Sequence, residues 1–229
     1  MNQSAWQSGV YAITDANLLP DDATLLDACE QALRGGLALL QYRDKSADAD
    51  KRYRQARALA TLCQEHHVPL IVNDDSALAF RLRHEGHTGV GLHLGQQDGG
   101  LAEARERLGP AAIIGATCHG RLDLAERARQ GGASYLAFGR FFRSRTKPDA
   151  PPAALSLLGE AARFGLPRVA IGGIDRTTLG EARRAGADLL ACVHGVFGGD
   201  DIESRVKALN RILAEESPPQ AGTHGLSTP

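Results

Sequence analysis

"LALLQYRDKSADADKRYRQARALATLCQEHH", residues 37–67, holds one full period of the pattern that decides the fold. It opens as an apolar run suited to a buried strand, then places an amide and two cations on alternate residues: Gln41, Arg43 and Lys45. In an extended chain side chains alternate between faces, so these three project to one side and Tyr42 and Asp44 to the other. A strand fraying into a solvated turn would read the same way, so the stretch alone does not decide between a site and a surface. Beyond the polar turn, Tyr53, Ala56, Ala60 and Cys63 recur at helical spacing, which predicts an amphipathic helix packed back on the strand.

The same strand-then-helix rhythm recurs along the chain. Candidate strands lie at 9–14, 37–43, 69–74, 90–95, 112–118, 135–141, 167–173 and 189–195. Helical stretches between them, such as "DLAERARQGGA" and "LGEARRAGADL", end in glycines suited to C-caps. Eight units in 229 residues average about 29 each, close to the size of a (β/α)8 TIM barrel of ~250 residues. A doubly wound open sheet is the alternative. The barrel is preferred because polar residues and glycines follow nearly every strand rather than clustering at one switch point. "GVGLHLG" contains G-x-G without the third glycine of a dinucleotide fingerprint.

Length and composition fit one large α/β domain or two small ones, and the eight-unit rhythm favours a single domain over residues 1–216. Residues 217–229, rich in Pro, Gly, Ser and Thr, read as a disordered tail. The formal net charge of -1 gives no basic field for nucleic acid. No apolar run approaches the ~20 residues of a membrane span, and the N-terminus lacks signal-peptide order, so a cytoplasmic location is expected. Cys29, Cys63, Cys118 and Cys192 show no metal or disulfide spacing and read as buried free thiols.

In a barrel the strand C-termini share one rim. That rim would gather Gln41, Arg43 and Lys45 with Asn73, Asp74, Gln96, Asp98, Thr117, His119, Ser144, Thr146 and Lys147. Cations, carboxylates and hydroxyls together suit a phosphorylated ligand whose oxygens are shared with a hard cation such as Mg2+, with Asp74 and Asp98 as its carboxylates. Taken alone, "NDD" reads first as a turn or helix cap and "GQQDGG" as a loop. The glycine-rich ends "AIGGI" and "VHGVFGG" allow close approach of backbone N–H groups to a second phosphate, or simply serve tight turns. His93 and His119 are read as structural histidines, with no catalytic role assigned.

In order and spacing, "YAITD", "QYRDK", "VNDD", "GLHLGQQD", "GATCH", "FGRFFRSRTK", "AIGGI" and "ACVHGVF" resemble the motif series of the thiamine phosphate synthase family, across roughly residues 9–212. The resemblance implies a TIM-barrel transferase acting on two phosphorylated small molecules. It would join 4-amino-2-methyl-5-pyrimidinylmethyl diphosphate to a hydroxyethyl-thiazole phosphate, plain or carboxylated, with release of pyrophosphate. By the same match Gln41, Tyr42, Arg43, Asp44, Lys45, Asn73, Thr117 and Lys147 would hold the pyrimidine diphosphate. Arg43, Lys45, Thr117 and Lys147 among them would act in catalysis, and Asp74 and Asp98 would carry Mg2+. Ser144, Arg145, Thr146, Gly173, Val193 and His194 would hold the thiazole phosphate.

Four positions depart from the commoner pattern. Thr117 stands where serine is usual and Ser144 where threonine is usual, swaps that keep the hydroxyl. His194 replaces a serine, and Arg143 stands where proline is frequent. Two rival readings are a thiazole tautomerase on the same barrel and a catalytically silent phosphate-binding scaffold. The tautomerase is not expected to need Gln41, Arg43, Lys45, Asp74 and Asp98 together, and Mg2+-dependent pyrophosphate release would separate all three readings.

Overall fold

The computed structural model describes residues 5–143 and 152–216. Eight strands, β1 (Gly9–Ile13), β2 (Leu39–Tyr42), β3 (Leu70–Asn73), β4 (Gly91–Leu94), β5 (Ile114–His119), β6 (Tyr135–Gly139), β7 (Arg168–Ile171) and β8 (Leu189–Cys192), pair in parallel and in sequence order. The barrel closes where β1 meets β8, with Val10 opposite Leu190 and Ala12 opposite Cys192. The helices are α1 (Asp22–Arg34), α2 (Ala49–Glu65), α3 (Ser76–His84), α4 (Leu101–Leu108), α5 (Leu122–Gln130), α6 (Ser156–Glu160), α7 (Leu179–Arg184), α8 (His194–Phe197) and α9 (Ile202–Glu215). A (β/α)8 TIM barrel is therefore the fold, and each strand expected from the sequence is present.

Period-two alternation explains why these short strands are buried on both faces. Val10, Ala12, Leu40, Leu70, Val72, Leu92, Ile114, Leu136 and Leu190 point outward and pack under the helices. Tyr11, Ile13, Leu39, Ile71, Tyr135, Val169 and Leu189 point inward and fill the barrel, with Trp6 packed against them. Burying a large aliphatic side chain fully is worth about 1.5–3 kcal/mol, so both layers hold the strands in register.

The opening stretch forms one such unit. Asp48 caps α2 by accepting a hydrogen bond from Lys51 N at 2.9 Å. Ala56, Ala60 and Cys63 face the barrel as their spacing requires, and Tyr53 is half-buried beside them. Gln55 also lies buried, because its amide is satisfied: Tyr42 Oη donates to Gln55 Oε1 at 2.8 Å and Gln55 Nε2 donates to Asp22 Oδ1 at 2.7 Å. All four cysteines are free and buried. Among the described residues no helix is long and apolar enough to cross a membrane.

Candidate active site

The strand ends open into a cavity of about 530 Å³ lined by every element of the rim. Gln41, Arg43, Lys45, Asn73, Asp74, Asp98, Thr117, Gly173, Val193 and His194 all face it. Residues up to 153 positions apart in the chain thus meet because the register of eight strands brings their ends level.

Alternation along β2 decides which residues of 41–45 take part. Gln41, Arg43 and Lys45 line the cavity, whereas Tyr42 and Asp44 point the other way and do not. Tyr42 reaches Gln55 on α2, and the buried Asp44 carboxylate accepts from Ser46 N at 2.7 Å and pairs with Lys51 at 3.0 Å. Tyr42 and Asp44, expected among the ligand-holding residues, are thus placed behind the cavity wall and not on it, where their side chains brace the loop. From the front, Arg43 N donates to Thr14 Oγ1 at 2.9 Å, which fixes the chain just beyond β2.

"NDD" divides its duties between neighbours. Asp75 is the helix cap, accepting from Leu78 N at 2.9 Å at the start of α3. Asp74 faces the cavity, in a left-handed conformation (φ 62°) that aspartate tolerates better than most residues. Asp74 N donates to His93 O at 2.8 Å, Asn73 Nδ2 donates to Asp74 Oδ2 at 2.6 Å, and Lys45 Nζ forms an ion pair with the same oxygen. Asp98 arrives on a tight loop in which Gly95 N donates to Asp98 Oδ2 at 3.0 Å. A Cβ on Gly95 would lie 2.4 Å from that oxygen, so a side chain there would push the Asp98 carboxylate out of this position.

The Asp74 and Asp98 carboxyls lie near enough for each to shift the other's protonation. Burial and the neighbouring Asp74 carboxylate push Asp98 above the usual range. Burial would raise Asp74 as well, but Lys45 and the neighbouring Asp98 hold it below its ordinary value. Among the described residues no group of three or more His, Cys, Asp or Glu gathers as a metal cage. Two neighbouring carboxylates on the wall of a polar cavity nevertheless fit Mg2+, which typically takes one or two carboxylates and completes its shell with water and phosphate.

Across the barrel, Gly172 (φ 97°) and Gly173 (φ 71°) leave β7 so close to the segment after β6 that a Cβ on Gly172 would lie 2.2 Å from Arg140 Cβ. The glycines are thus needed for packing as well as for turning. Val193 and His194 line the cavity at the start of α8, where the first backbone N–H groups have no carbonyl partner within the helix. Arg205 of α9 holds that turn, donating from Nη2 to His194 O at 2.9 Å and from Nε to Val196 O at 3.1 Å. Ser144, Arg145, Thr146 and Lys147 lie outside the described residues.

The profile of the thiamine monophosphate synthase family matches residues 10–196. The chain belongs to that family. Thiamine-phosphate synthase of Marinobacter nauticus is 52% identical over 218 residues, which are 94% of this chain and 96% of the relative. Thiamine-phosphate synthase of Saccharophagus degradans is 53% identical over 201 residues, covering 87% and 90% of the two chains. The solved structure of thiamine phosphate pyrophosphorylase from Pyrococcus furiosus superposes with a TM-score of 0.79 at 30% identity, covering 91% of this chain and 96% of that one. As a member of the thiamine monophosphate synthase family, the chain is a transferase of thiamine biosynthesis.

Several residues in or beneath the cavity of this synthase-family barrel carried no legible role in the sequence. Tyr11 and Tyr135 are buried inside the barrel with their hydroxyls 2.8 Å apart. His93, read as structural, lies between Tyr135 and Thr117 and lines the cavity. Period-two reading of β1 and β6 would have turned both tyrosines inward, and a buried tyrosine hydroxyl needs a partner, but their meeting depends on barrel register. Arg140, Arg143 and Arg205 add positive charge to the wall. For Arg205, far along the chain on α9, no sequence signal was available.

Proposed function

We propose that the cavity joins 4-amino-2-methyl-5-pyrimidinylmethyl diphosphate to a hydroxyethyl-thiazole phosphate, releasing pyrophosphate. The observation that carries this reading is the meeting of Gln41, Arg43, Lys45, Asp74 and Asp98 on one cavity wall, a grip that a protein binding a single phosphate monoester would not need. Asn73 and Thr117 stand in the same wall, and Lys147 would complete the diphosphate pocket.

The reaction breaks the bond between the methylene carbon and the diphosphate oxygen, whose electron pair leaves with pyrophosphate. The electron-rich aminopyrimidine delocalises the positive charge left on the methylene. The thiazole nitrogen then supplies its lone pair to form the new C–N bond. No protein nucleophile is required, which suits a rim without a Ser/His/Asp arrangement. Arg43 and Lys45 hold the diphosphate oxygens and oppose the charge that builds on them, a pre-organised role whose loss typically costs ~3–4 kcal/mol of barrier per donor. Mg2+ held by Asp74 and Asp98 would add further neutralisation of the leaving diphosphate when bound. Lys45, ion-paired with Asp74, bridges the carboxylates and the phosphate side of the wall.

The thiazole phosphate would lie on the opposite wall. Gly173, Val193 and His194 would meet it through backbone N–H groups, and the family resemblance adds Ser144, Arg145 and Thr146 as further candidate ligands. Orientation of the nitrogen toward the methylene is then the main task of that wall.

A purified-protein assay tests the reading. Thiamine phosphate and pyrophosphate should appear in equal amounts only when both substrates and Mg2+ are present. Isomerisation of a thiazole phosphate without pyrophosphate release would point to a tautomerase instead.

A further inference from the structure

A continuous line of hydrogen bonds crosses the buried floor of the cavity from β2 to β5. Gln41 Nε2 donates to Tyr11 Oη at 2.6 Å, and the Tyr11 and Tyr135 hydroxyls are 2.8 Å apart. Tyr135 Oη then lies 2.9 Å from His93 Nδ1, and His93 Nε2 lies 2.9 Å from Thr117 Oγ1. Both tyrosines are at most 1% exposed and Gln41 is 3% exposed. A hydroxyl that deep left without an acceptor costs about 1–3 kcal/mol, so each proton in the line needs a place.

The Gln41 amide sets the direction. With Nε2 donating to Tyr11, the Tyr11 oxygen is an acceptor and its own proton must go on to Tyr135. Tyr135 then gives its proton to His93 Nδ1. That leaves the imidazole proton on Nε2, where it is donated to Thr117 Oγ1. Thr117 accepts from the histidine and so turns its own proton away from it. The opposite direction would strand the Tyr11 proton unless the Gln41 amide turned over. Burial pushes both tyrosine pKa values up, so both remain proton carriers at neutral pH.

We propose that Tyr11, Tyr135 and His93 are positioning residues that fix the polarity of the ligand floor: Gln41 offers an acceptor oxygen at one end and Thr117 an O–H donor at the other. Such a floor recognises a heteroaromatic ring bearing an amino donor and a ring-nitrogen acceptor, and rejects one with the two exchanged. The identity of that ring as the aminopyrimidine rests on the synthase reading above. The direction of the relay does not.

The room for this line comes from Gly115. A Cβ there would lie 1.9 Å from Cζ of Tyr135, so the tyrosine ring occupies the space a side chain on β5 would fill. His93 lies nearly parallel to that ring, with centroids 5.6 Å apart and planes 17° apart, which limits how far the imidazole can turn.

Nitrogen NMR of the substrate-free protein, labelled at histidine and assigned with His93→Gln, reads the tautomer directly. The relay requires His93 protonated at Nε2 with Nδ1 an acceptor, and Tyr135→Phe should remove that bias. A wild-type His93 protonated at Nδ1 would overturn the proposal. In steady-state assays Tyr135→Phe should lower kcat/KM for the pyrimidine diphosphate about tenfold while leaving KM for the thiazole phosphate within about twofold. Combining it with Thr117→Val should cost no more than Thr117→Val alone, because one acts through the other. Fully additive costs would reduce Tyr135 to packing and also overturn it. Should the wild-type protein make no thiamine phosphate, the synthase reading fails while the tautomer still decides the relay.

Discussion

Asp98 holds its proton more tightly than an isolated aspartate, so a Mg2+ ion taken up by the pair, as proposed, would compete with that proton. Because partial desolvation at the cavity mouth and the Asp74 carboxylate raise Asp98, although its residue is largely exposed, it gives up its proton above the ordinary carboxylate range. Mg2+ affinity should therefore rise with pH through that range and level off above it, with proton release at the acid end. Calorimetric titration at several pH values in two buffers of different ionisation heat checks this, and a pH-independent affinity would refute it. The stability linkage has two signs. The raised Asp98 favours the folded state below its unfolded pKa and loses that contribution as pH rises through its folded value. The depressed Asp74 stabilises above its unfolded pKa and loses that as pH falls through its folded value. Asp98→Ala should lower kcat by about 100-fold or more with little change in thermal stability, since the side chain is exposed. At His194 the backbone turn is held by Arg205 whatever the side chain. His194→Ser should accordingly change KM for the thiazole phosphate only modestly. A loss of ~100-fold in kcat/KM, about 2.7 kcal/mol, would show the imidazole taking direct part.

Single βα units were the most legible part of the chain, because alternation and helical spacing are local properties. Gln41, Arg43 and Lys45 could be assigned to one face from period two alone, and that same rule turns Tyr42 and Asp44 away from the cavity. The motif resemblance treated residues 41–45 as one block and so included two residues that pack behind it. "NDD" was ambiguous for a different reason: a cap and a cavity carboxylate use the same side chain, and only the strand end shows that Asp75 does one and Asp74 the other. β5 carries a register shift between Thr117 and His119, a bulge that no local pattern announces. Its neighbour Cys118 packs outward, with burial pushing its thiol up to about 12. The native protein should consequently show almost no reaction with a thiol reagent at pH 8, and all four cysteines should react after unfolding. Prompt native-state labelling would contradict the buried assignment. Gly115→Ala, which drives a methyl into Tyr135, should destabilise by about 1–3 kcal/mol in urea unfolding.

Closure of the barrel turns these local facts into one site. Tyr11 and Tyr135 lie 124 residues apart in the chain, and only the register of eight strands puts their hydroxyls in contact. For that reason the relay through His93 was invisible in the sequence, while the rim residues, each at a strand end, were not. The near-neutral chain carries no overall field, so anion binding must come from the local arrangement of Arg43, Lys45 and the arginines of the cavity wall. Pyrophosphate titrated into the purified protein tests that arrangement most directly. Binding should require Mg2+ and should weaken at least about tenfold in both Arg43→Ala and Asp98→Ala, residues joined only by the barrel. Equal binding without Mg2+, or binding unaffected by either substitution, would contradict the account.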